Sequence, residues 1–348
     1  MIKMKKILLG MSGGVDSTVA AYLLQRQGWE VIGATLDLLP CDNGETVALA
    51  KKAAQQLGIE HHVLDFKDVF KEKVIDKFIG DYLCAKTPNP CVECNRSVKF
   101  GVMLDAAEKM GIDYISTGHY AKIEYCEKKD RFLLKKADCI QKDQSYMLYT
   151  LSQRQLSKVV LPLQGYSKQQ VREIAKEAKF DAADRGDSQE ICFIKDNDYI
   201  KFLEENAAAL PKSGDFVDTD GNRLGSHAGI YRYTVGQRKG LGMSFGKPMF
   251  VVGVDSEKNQ VILGESGSEY STELYAENVN FIPFDKLEAP MDVQCKVRYG
   301  NKFFDGTLFP EAEKKVHVKF KTKARAVTPG QSVVFYDGDT VIGGGIIR

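Results

Sequence analysis

A short apolar run near the N terminus leads into the segment Gly10-Met11-Ser12-Gly13-Gly14-Val15-Asp16-Ser17. The run predicts a strand, and the apolar residues that follow recur at helical spacing, so the segment joins a strand to a helix. Glycines let the backbone approach a phosphate closely, and the N–H groups at a helix start bind anions. We expect this segment, the phosphate loop, to hold a nucleotide phosphate. The purely structural alternative is a tight turn with Ser17 as a helix cap.

The end of the phosphate loop excludes one common kind of nucleotide site. A Walker A loop ends in Lys followed by Ser or Thr, whereas this loop ends in Asp16-Ser17. The loop instead resembles the SGGxDS pyrophosphatase loop of enzymes that split ATP into AMP and pyrophosphate while they adenylate an oxygen. That resemblance implies that Asp16 helps to hold Mg²⁺, which prefers oxygen ligands and neutralises the leaving pyrophosphate.

Strand and helix patterns alternate through the first third of the chain, which predicts an α/β fold with a doubly wound parallel sheet. We expect strands at 6–10, 31–36, 62–65 and 114–117, and helices after the phosphate loop, at 45–57 and at 96–110.

Beyond about residue 206, prolines and glycine-rich turns separate short β-branched runs, which indicates small β domains. The last part alternates well enough to form a compact barrel. We expect an ATP-pyrophosphatase catalytic domain over 1–205, a central β-rich domain over 206–277, and a C-terminal β-barrel over 278–348 that opens with a linker at 278–289.

Composition limits the possible classes of protein. The 348 residues include 48 Lys and Arg against 47 Asp and Glu, and 43% are hydrophobic, which is ordinary for a soluble globular protein. The net charge of +1 gives no global case for a polyanion partner, so a nucleic-acid site has to come from local clusters. No run approaches the ~18 consecutive apolar residues of a membrane span. We expect a cytoplasmic protein with no membrane partner.

Eight cysteines in a cytosolic chain are expected as thiols, metal ligands or catalytic groups, because the cytosol keeps dithiols reduced. Cys94 lies where a proline-flanked turn enters a predicted helix, with Arg96 and Lys99 nearby. A thiol at a helix N terminus beside positive charge is favoured as thiolate, so Cys94 is a candidate nucleophile. Cys192 lies in an apolar run, and by itself that segment favours an inert core thiol.

Taken together, the phosphate loop, Cys94 and Cys192 resemble the tRNA-specific 2-thiouridylases, and the resemblance covers nearly the whole chain. The other matching segments are Pro88 to Phe100, Gly118-His119-Tyr120, Lys142 to Tyr146, Ser188 to Phe193, Val235 to Gly242, Arg298-Tyr299 and Ala326 to Gln331. The resemblance implies an enzyme that uses ATP to adenylate O2 of the wobble uridine of tRNA and replaces that oxygen with sulfur. Its implied products are 2-thiouridine, AMP and pyrophosphate, and its implied sulfur source is a persulfide donor protein, either a cysteine desulfurase or a sulfur relay.

The resemblance also implies roles for individual residues. Cys192 is expected to bear the persulfide, and Cys94 to complete the transfer as nucleophile, ending in a disulfide between them. The implied ATP-binding residues are Gly10, Met11, Ser12, Gly13, Gly14, Val15, Asp16, Ser17, Leu36 and Gly118. The implied tRNA- or base-binding residues are Asn89, Pro90, Cys91, His119, Lys142, Asp143, Gln144, Arg298, Tyr299 and Gln331.

One position departs from the family pattern, in which the residue three before the nucleophile is Asp. Here it is Cys91, and a thiol cannot copy a carboxylate base. The alternative is that Cys91, Cys94 and Cys192 ligate a [4Fe–4S] cluster with one iron open to bind sulfide. A zinc ribbon would need a second close Cys pair, which Cys84 alone does not provide.

Two stretches supply local positive charge for a nucleic acid. Residues 314–325 contain six Lys or Arg and no acidic residue, while Val316, Val318 and Phe320 alternate with them, which predicts one basic strand face. Residues 225–254 contain Arg232, Arg238, Lys239 and Lys247, interleaved with aromatic residues and without Asp or Glu. Solvated surface is the alternative for any such charge run.

Two other functions remain open on the sequence. A small-molecule adenylating ligase, like argininosuccinate or GMP synthetase, would explain the phosphate loop but gives no role to the two cysteines. A non-catalytic RNA-binding module would explain the basic stretches but not the phosphate loop. Pyrophosphate release with and without tRNA separates the first alternative, and a test of ATP binding separates the second.

Overall fold

The computed structural model describes residues 5–39, 44–183, 186, 191–300 and 302–348. The chain forms two compact units. Unit 1 comprises 1–74, 91–189 and 339–341, and unit 2 comprises 75–90, 190–338 and 342–348. No helix of the described residues has the length and apolar character needed to cross a membrane.

Unit 1 contains a five-stranded, fully parallel sheet. Its strands are β1 (Lys6–Gly10), β2 (Glu30–Asp37), β3 (His61–Asp65), β4 (Tyr114–Ser116) and β7 (Val159–Val160), in the spatial order β3-β2-β1-β4-β7. β1 is buried on both faces, since helices cover a parallel sheet from both sides. The expected doubly wound α/β sheet is confirmed. Between β4 and β7 the chain forms an antiparallel hairpin of β5 (Lys122–Cys126) and β6 (Arg131–Lys135).

Helices connect these strands and continue beyond them. They are α1 (Val15–Arg26), α2 (Glu45–Leu57), α3 (Lys67–Phe70), α4 (Lys77–Leu83), α5 (Pro90–Cys94), α6 (Met103–Lys109), α7 (Gln153–Leu156), α8 (Lys168–Glu177) and α9 (Tyr199–Asn206). The helix expected at 45–57 has those bounds. The one expected at 96–110 is interrupted, because Asn95–Val102 is π-helical between α5 and α6. A second π-helical segment, Lys71–Asp76, joins α3 to α4.

Unit 2 is rich in β-structure. Four strands, β8 (Gly214–Val217), β9 (Arg223–His227), β10 (Met249–Asp255) and β11 (Gln260–Glu265), form a sheet in the order β10-β11-β8-β9. The remaining strands are β12 (Tyr270–Phe281), β13 (Met291–Lys296), β14 (Phe304–Pro310), β15 (Val316–Arg325), β16 (Ser332–Asp337) and β17 (Thr340–Ile347). They follow the order β12-β15-β14-β13-β16-β17, and β12 also pairs with β17, so the expected C-terminal barrel is closed.

The linker expected at 278–289 begins too early. Residues 278–281 lie inside β12, where Asn280 is in register with Gly344 of β17. The sequence missed this because Asn278 and Asn280 resemble turn residues. Asn278 has a positive φ of 53°, and the ladder to β17 shifts register between Glu277 and Asn280, so the strand continues through an irregularity rather than ending.

Candidate functional site

The phosphate loop follows β1 and opens α1, as expected. Gly13 has φ +70°, and a Cβ atom there would lie 2.6 Å from the backbone carbon of Leu49, so only glycine fits. The N-cap of α1 is Gly14, with no side-chain cap. Ser17 instead braces the loop, because its Oγ donates to the Gly14 carbonyl at 3.1 Å and accepts from the Ser12 N–H at 3.4 Å. Ser17 is therefore not the capping residue of the structural alternative.

The phosphate loop is anchored to the carboxyl edge of the parallel sheet, where ligands bind in such folds. The Met11 N–H donates to the Ala34 carbonyl at 2.8 Å, and the Thr35 hydroxyl donates to the Met11 carbonyl at 3.0 Å. Leu36 is the next residue of β2 and is half-buried. Gly118, two residues after the end of β4, comes so close that a Cβ would lie 3.0 Å from the backbone of Asp16. The structure thus brings Leu36 and Gly118, two of the expected ATP-binding residues, to this edge.

The carboxylate of Asp16 is held by two side chains from distant parts of unit 1. Lys168, the first residue of α8, donates from Nζ to both carboxylate oxygens at 2.8 Å. The Tyr120 hydroxyl donates to Oδ1 at 2.6 Å. The Lys168 side chain is 13% exposed and that of Asp16 34%, so this ion pair is sheltered from solvent. A fixed positive charge therefore lies beside the phosphate loop.

Cys91 and Cys94 lie on one helix but in different environments. Cys94, the last residue of α5, is buried at 7% exposure, and the π-helical segment begins directly after it. Cys91 reaches the surface. Partial burial raises the pKa of the Cys91 thiol, and the positive charge of Lys99 opposes this shift. Cys91 therefore stays a neutral thiol at neutral pH and does not replace a carboxylate base. π-Helical turns are frequent at functional sites, which fits the position of Cys94.

Basic residues after Cys94 differ in what they contact. Arg96 is exposed and lies 3.9 Å from a carboxylate oxygen of Glu93. Lys99 is half-buried, and its charge acts on both Cys91 and His119. The Lys99 charge therefore lowers the pKa of both groups, although burial has the larger effect on each.

His119 follows Gly118 at the carboxyl end of β4. Burial lowers its pKa to about 3, with a further lowering from Lys99, so the imidazole is neutral at neutral pH. Its Nδ1 lies 2.7 Å from the Thr117 hydroxyl, and its ring packs against Phe100 at 5.6 Å between centroids. In the tautomer in which Thr117 donates to Nδ1, the Nε2 atom carries a proton for a carbonyl acceptor.

The three residues at 142–144 that are expected to bind tRNA differ in their burial and in what they contact. Asp143 is buried, and its carboxylate accepts from the N–H groups of Ala137 and Ser145 at 3.1 Å and from the Ser145 hydroxyl at 2.8 Å. Gln144 accepts from the Tyr120 N–H at 3.0 Å through its side chain and donates its own N–H to the Tyr120 carbonyl at 2.8 Å. Gln144 thus fixes the segment that carries His119. Lys142 ends a short 3₁₀ turn and is half-buried.

In unit 2, Cys192 is exposed on a turn, while its neighbours Phe193 and Ile194 are buried. The Phe193 ring packs against Phe78 at 5.3 Å and Phe202 at 5.2 Å. Because these rings anchor the turn, the adjacent thiol is presented at the surface. The burial expected from this segment alone, that of a core thiol, is wrong.

Unit 2 also contains the segment that leads to Asn89 and Pro90. The Gln331 amide donates to the Thr87 carbonyl at 2.9 Å, and the Thr87 N–H donates to the Pro329 carbonyl at 2.8 Å. Gln331 therefore contacts Thr87, two residues before Asn89, which is also expected to bind the tRNA or its base. Arg298 and Tyr299 follow β13 and are exposed, with Tyr299 at 49%.

The two basic stretches are less free than the sequence indicated. On β15 the predicted alternation is present, with Val316 and Val318 buried and the lysines exposed, but Lys321 pairs with Asp292 at 3.0 Å. In the other stretch Arg232 pairs with Glu204 and Lys247 with Glu265. Arg238 and Lys239 are exposed. Part of each stretch is therefore engaged within the protein.

Comparison with known proteins assigns the chain to a family. The family models described as tRNA methyl transferase HUP domain, tRNA methyl transferase PRC-barrel domain and aminomethyltransferase beta-barrel domain match residues 5–196, 200–265 and 271–347. The chain is 54% identical to tRNA-specific 2-thiouridylase MnmA of Acetivibrio thermocellus, over 99% of each protein. It is 49% identical to the protein of that name from Clostridioides difficile, over 99% of this chain and 98% of that relative.

The chain belongs to the tRNA-specific 2-thiouridylase family. The resemblance drawn from the motifs is confirmed. Among solved structures, a 4-thiouridine synthetase in an RNA complex with bound ATP is similar over 58% of this chain and 50% of that chain, with 18% identity and a TM-score of 0.38.

The sequence analysis of this 2-thiouridylase family member did not identify Lys168 and Tyr120 as the residues that hold the Asp16 carboxylate. Tyr120 was part of a matching segment but was given no role, and Lys168 lies 152 residues from the carboxylate it pairs with. A local signal for Lys168 exists, since Ser167 and Gln170 form a capping box that fixes Lys168 in the first turn of α8. Only the folded unit reveals which group that turn faces.

Proposed function

We propose that the chain is an ATP-dependent tRNA uridine 2-sulfurtransferase that acts on the wobble uridine. The full-length match to proteins named tRNA-specific 2-thiouridylase carries this proposal. The phosphate loop at the carboxyl edge of the sheet supports the ATP-dependent half of the reaction, and an exposed and a buried cysteine support the sulfur-transfer half.

In the first half, the uracil O2 attacks the α-phosphorus of ATP, the bond to the β-phosphate oxygen breaks, and pyrophosphate leaves. Positive charge aimed at the phosphates stabilises the negative charge that develops there. Lys168 supplies such a charge beside Asp16, together with the N–H dipoles at the start of α1. Leu36 and Gly118, at the same edge, line the site for the nucleotide.

The phosphate loop fits Mg²⁺ through a single carboxylate. Asp16 accepts three hydrogen bonds from Lys168 and Tyr120, and an ionised carboxylate has about four acceptor sites. Asp16 therefore offers one ligand position, which suits an ion that takes most of its ligands from substrate phosphates and water. When bound, Mg²⁺ would neutralise the charge of the leaving pyrophosphate.

In the second half, the terminal sulfur of a Cys192 persulfide attacks C2 of the activated uridine, and AMP leaves with the former O2. The Cys94 thiolate then attacks the Cys192 sulfur. The bond between the two persulfide sulfurs breaks, and the terminal sulfur stays on C2 as 2-thiouridine. The Cys94 sulfur is oxidised as the transferred sulfur is reduced, and Cys94 and Cys192 end as a disulfide, which a cellular thiol reductant returns to two thiols.

The base is held by neutral groups. With a pKa of about 3, His119 is a poor proton acceptor at neutral pH but a sound hydrogen-bond donor to a uracil carbonyl. Asn89 and Pro90 belong to the segment fixed through Thr87 and Gln331. Cys91, a neutral thiol at the surface, lines this region rather than acting as a base.

An iron–sulfur cluster receives no step in this proposal. Cys91 and Cys94 lie in unit 1 and Cys192 in unit 2, and the persulfide route uses only Cys94 and Cys192. Iron and sulfide analysis after anaerobic purification tests this directly, and a stoichiometric cluster would replace the persulfide route with the alternative on Cys91, Cys94 and Cys192.

The partners follow from the two halves of the reaction. They are tRNA with a wobble uridine and a persulfide donor protein, which reaches Cys192 because that thiol is exposed. We place the reaction in the cytoplasm, where thiol reductants are available. The functional division at 1–205, 206–277 and 278–348 belongs to this proposal, with the first part catalytic and the second binding tRNA.

Reconstitution tests the proposal. The full chain is incubated with ATP, Mg²⁺, cysteine and a cysteine desulfurase, with or without unmodified tRNA, and 2-thiouridine, AMP and pyrophosphate are measured. We expect all three products only with tRNA. Pyrophosphate release without tRNA but with a small-molecule acceptor would favour an adenylating ligase, and tRNA binding without ATP binding would favour a non-catalytic module.

A further inference from the structure

A cavity of about 620 Å³ lies within unit 2 and has no role in the reaction described above. Its volume falls within the range of roughly 300–1,000 Å³ that is usual for small-ligand sites. Its lining residues include Tyr199, Tyr233, Arg232 and Arg298, together with the turn from Thr234 to Gly242. That turn belongs to the matching segment Val235 to Gly242, whose Arg238 and Lys239 the sequence offered only as general positive charge for a nucleic acid.

The turn is held in a fixed shape. Gln237 accepts from the Thr234 N–H at 3.0 Å and donates to the Lys239 carbonyl at 3.0 Å, so one side chain ties both ends. Gly236 has φ +90°, and a Cβ there would lie 2.5 Å from the Cβ of Ala326. The cavity wall is therefore preformed, which lowers the entropy cost of binding a ligand.

The lining favours an anionic ligand with a planar ring. Among the described lining residues there are two arginines and no carboxylate. Glu204 pairs with Arg232 from outside this lining, and Arg298 is exposed at the surface. Tyr233 is buried at 6% exposure and packs on Phe216, whereas Tyr199 is half-buried and stacks on Tyr82 at 4.7 Å between centroids, so Tyr199 supplies the aromatic contact. Arginines bind phosphates, and aromatic rings stack on bases, a combination typical of sites for unpaired nucleotides.

The cavity adjoins the segment expected to meet the target base. Thr234, in its wall, lies 3.1 Å from the Thr87 hydroxyl, oxygen to oxygen. Thr87 precedes Asn89 by two residues and is the residue that Gln331 holds. The cavity itself contains no cysteine and no residue of the phosphate loop, so it is not where the target uridine reacts.

We propose that this cavity holds a nucleotide that neighbours the target uridine in the tRNA, with its base against Tyr199 and its phosphate at Arg298. This inference rests on the proposed function and adds a specificity site to it. Bound there, the neighbouring nucleotide would be taken out of the anticodon-loop stack, which frees the uridine to reach the phosphate loop.

The test combines a cavity-filling variant with altered tRNA. Ala228 lines the cavity and is exposed, so Ala228→Trp fills it from the surface, and Ala312→Trp, at an exposed site of unit 2, is the matched control. Thiolation is measured with tRNA lacking the base immediately 5′ or 3′ of the target. We expect Ala228→Trp to raise the KM for tRNA about tenfold, because tRNA then binds roughly tenfold more weakly. Loss of one flanking base should raise the wild-type KM equally but leave Ala228→Trp unchanged.

Other results would overturn the inference. Additive penalties, or none from either flanking base, would show that the cavity holds no neighbouring nucleotide. Slower persulfide loading of Cys192 with an unchanged tRNA KM would assign the cavity to the donor protein instead. Arg298→Gln, a change at the surface, repeats the test without filling the cavity and should lower the salt slope of binding by the equivalent of about one phosphate. Absence of thiolation in the wild type would count against the proposed function, not the cavity alone.

Discussion

Two cysteines carry the proposed chemistry from opposite environments. Cys94 is buried at the end of a short helix in unit 1, at 7% exposure, and the π-helical segment follows it. Cys192 stands exposed on a turn in unit 2, held there by the buried ring of Phe193. A thiol that must meet a donor protein has to be accessible, whereas a thiol that acts once on a bound intermediate is better kept from solvent and other oxidants.

The difference separates loading from delivery. Loading needs only an exposed thiol and a donor, while delivery needs the phosphate loop, the activated base and Cys94. The comparison therefore predicts that changes in the site around Asp16 and Cys94 stop delivery while Cys192 still loads.

The largest effects should come from the cysteines themselves. Cys94→Ser and Cys192→Ser should each lower 2-thiouridine formation by at least about 10³-fold, because each sulfur makes or breaks a bond that serine cannot replace. Both variants should still release pyrophosphate with tRNA in a single turnover. Cys84→Ser, at another exposed cysteine, is the control and should keep wild-type thiolation. Wild-type 2-thiouridine formation by Cys94→Ser or Cys192→Ser would show that the replaced cysteine takes no part in sulfur transfer.

Next come the charges at the phosphate loop. Asp16→Asn and Lys168→Met should each lower tRNA-dependent pyrophosphate release by roughly 10²–10³-fold, because Asp16 would hold Mg²⁺ and Lys168 supplies positive charge beside the phosphate loop. Persulfide loading of Cys192 should be unchanged, which would show that loading does not depend on the phosphate loop. Lys176→Met, on an exposed position of the same helix, serves as control. Release within about threefold of wild type would remove Lys168 from the site.

A smaller effect is expected from the basic strand of unit 2. Changing Lys319, Lys321 and Lys323 together to Gln should weaken tRNA binding and flatten its dependence on salt, by about 0.7–0.9 in slope for each phosphate that is no longer neutralised. Because Lys321 pairs with Asp292, we expect the change to affect about two phosphates rather than three. Binding is measured against salt concentration, with Lys128 and Lys129, both exposed on unit 1, changed to Gln as control. An unchanged slope would identify the strand as solvated surface.

The smallest effect concerns pH and His119. Its pKa is lowered from 6.5 to about 3, so below about pH 6.5 the unfolded chain binds a proton there that the folded chain does not. Stability from this residue is therefore fully present above the unfolded pKa and is lost as pH falls towards 3. Urea unfolding at about pH 7 and about pH 5 should show a smaller loss in His119→Phe than in wild type. Equal losses would show that the imidazole is protonated in the folded state.

Local patterns predicted unit 1 well because its strands and helices repeat with clear periods. The bounds of β1 and α2 match the expectation, and the phosphate loop joins β1 to α1 as expected. Contacts across the chain were not predictable, as Lys168 shows, because no period connects it to Asp16. Cys192 was misread from its segment because a turn, unlike a strand, can expose one residue of an apolar run. The start of the linker was predicted too early because Asn278 and Asn280, a residue type that is depleted in strands, lie inside β12.

The central claim is that sulfur is carried on Cys192 and delivered with the help of Cys94. The most direct test is mass spectrometry of the full-length Cys94→Ser and Cys192→Ser variants after incubation with a cysteine desulfurase and cysteine. The account predicts a mass increase of one sulfur on the peptide that contains Cys192 in Cys94→Ser, and no persulfide at Cys94 in Cys192→Ser. A persulfide found on Cys94, with none on Cys192, would contradict it.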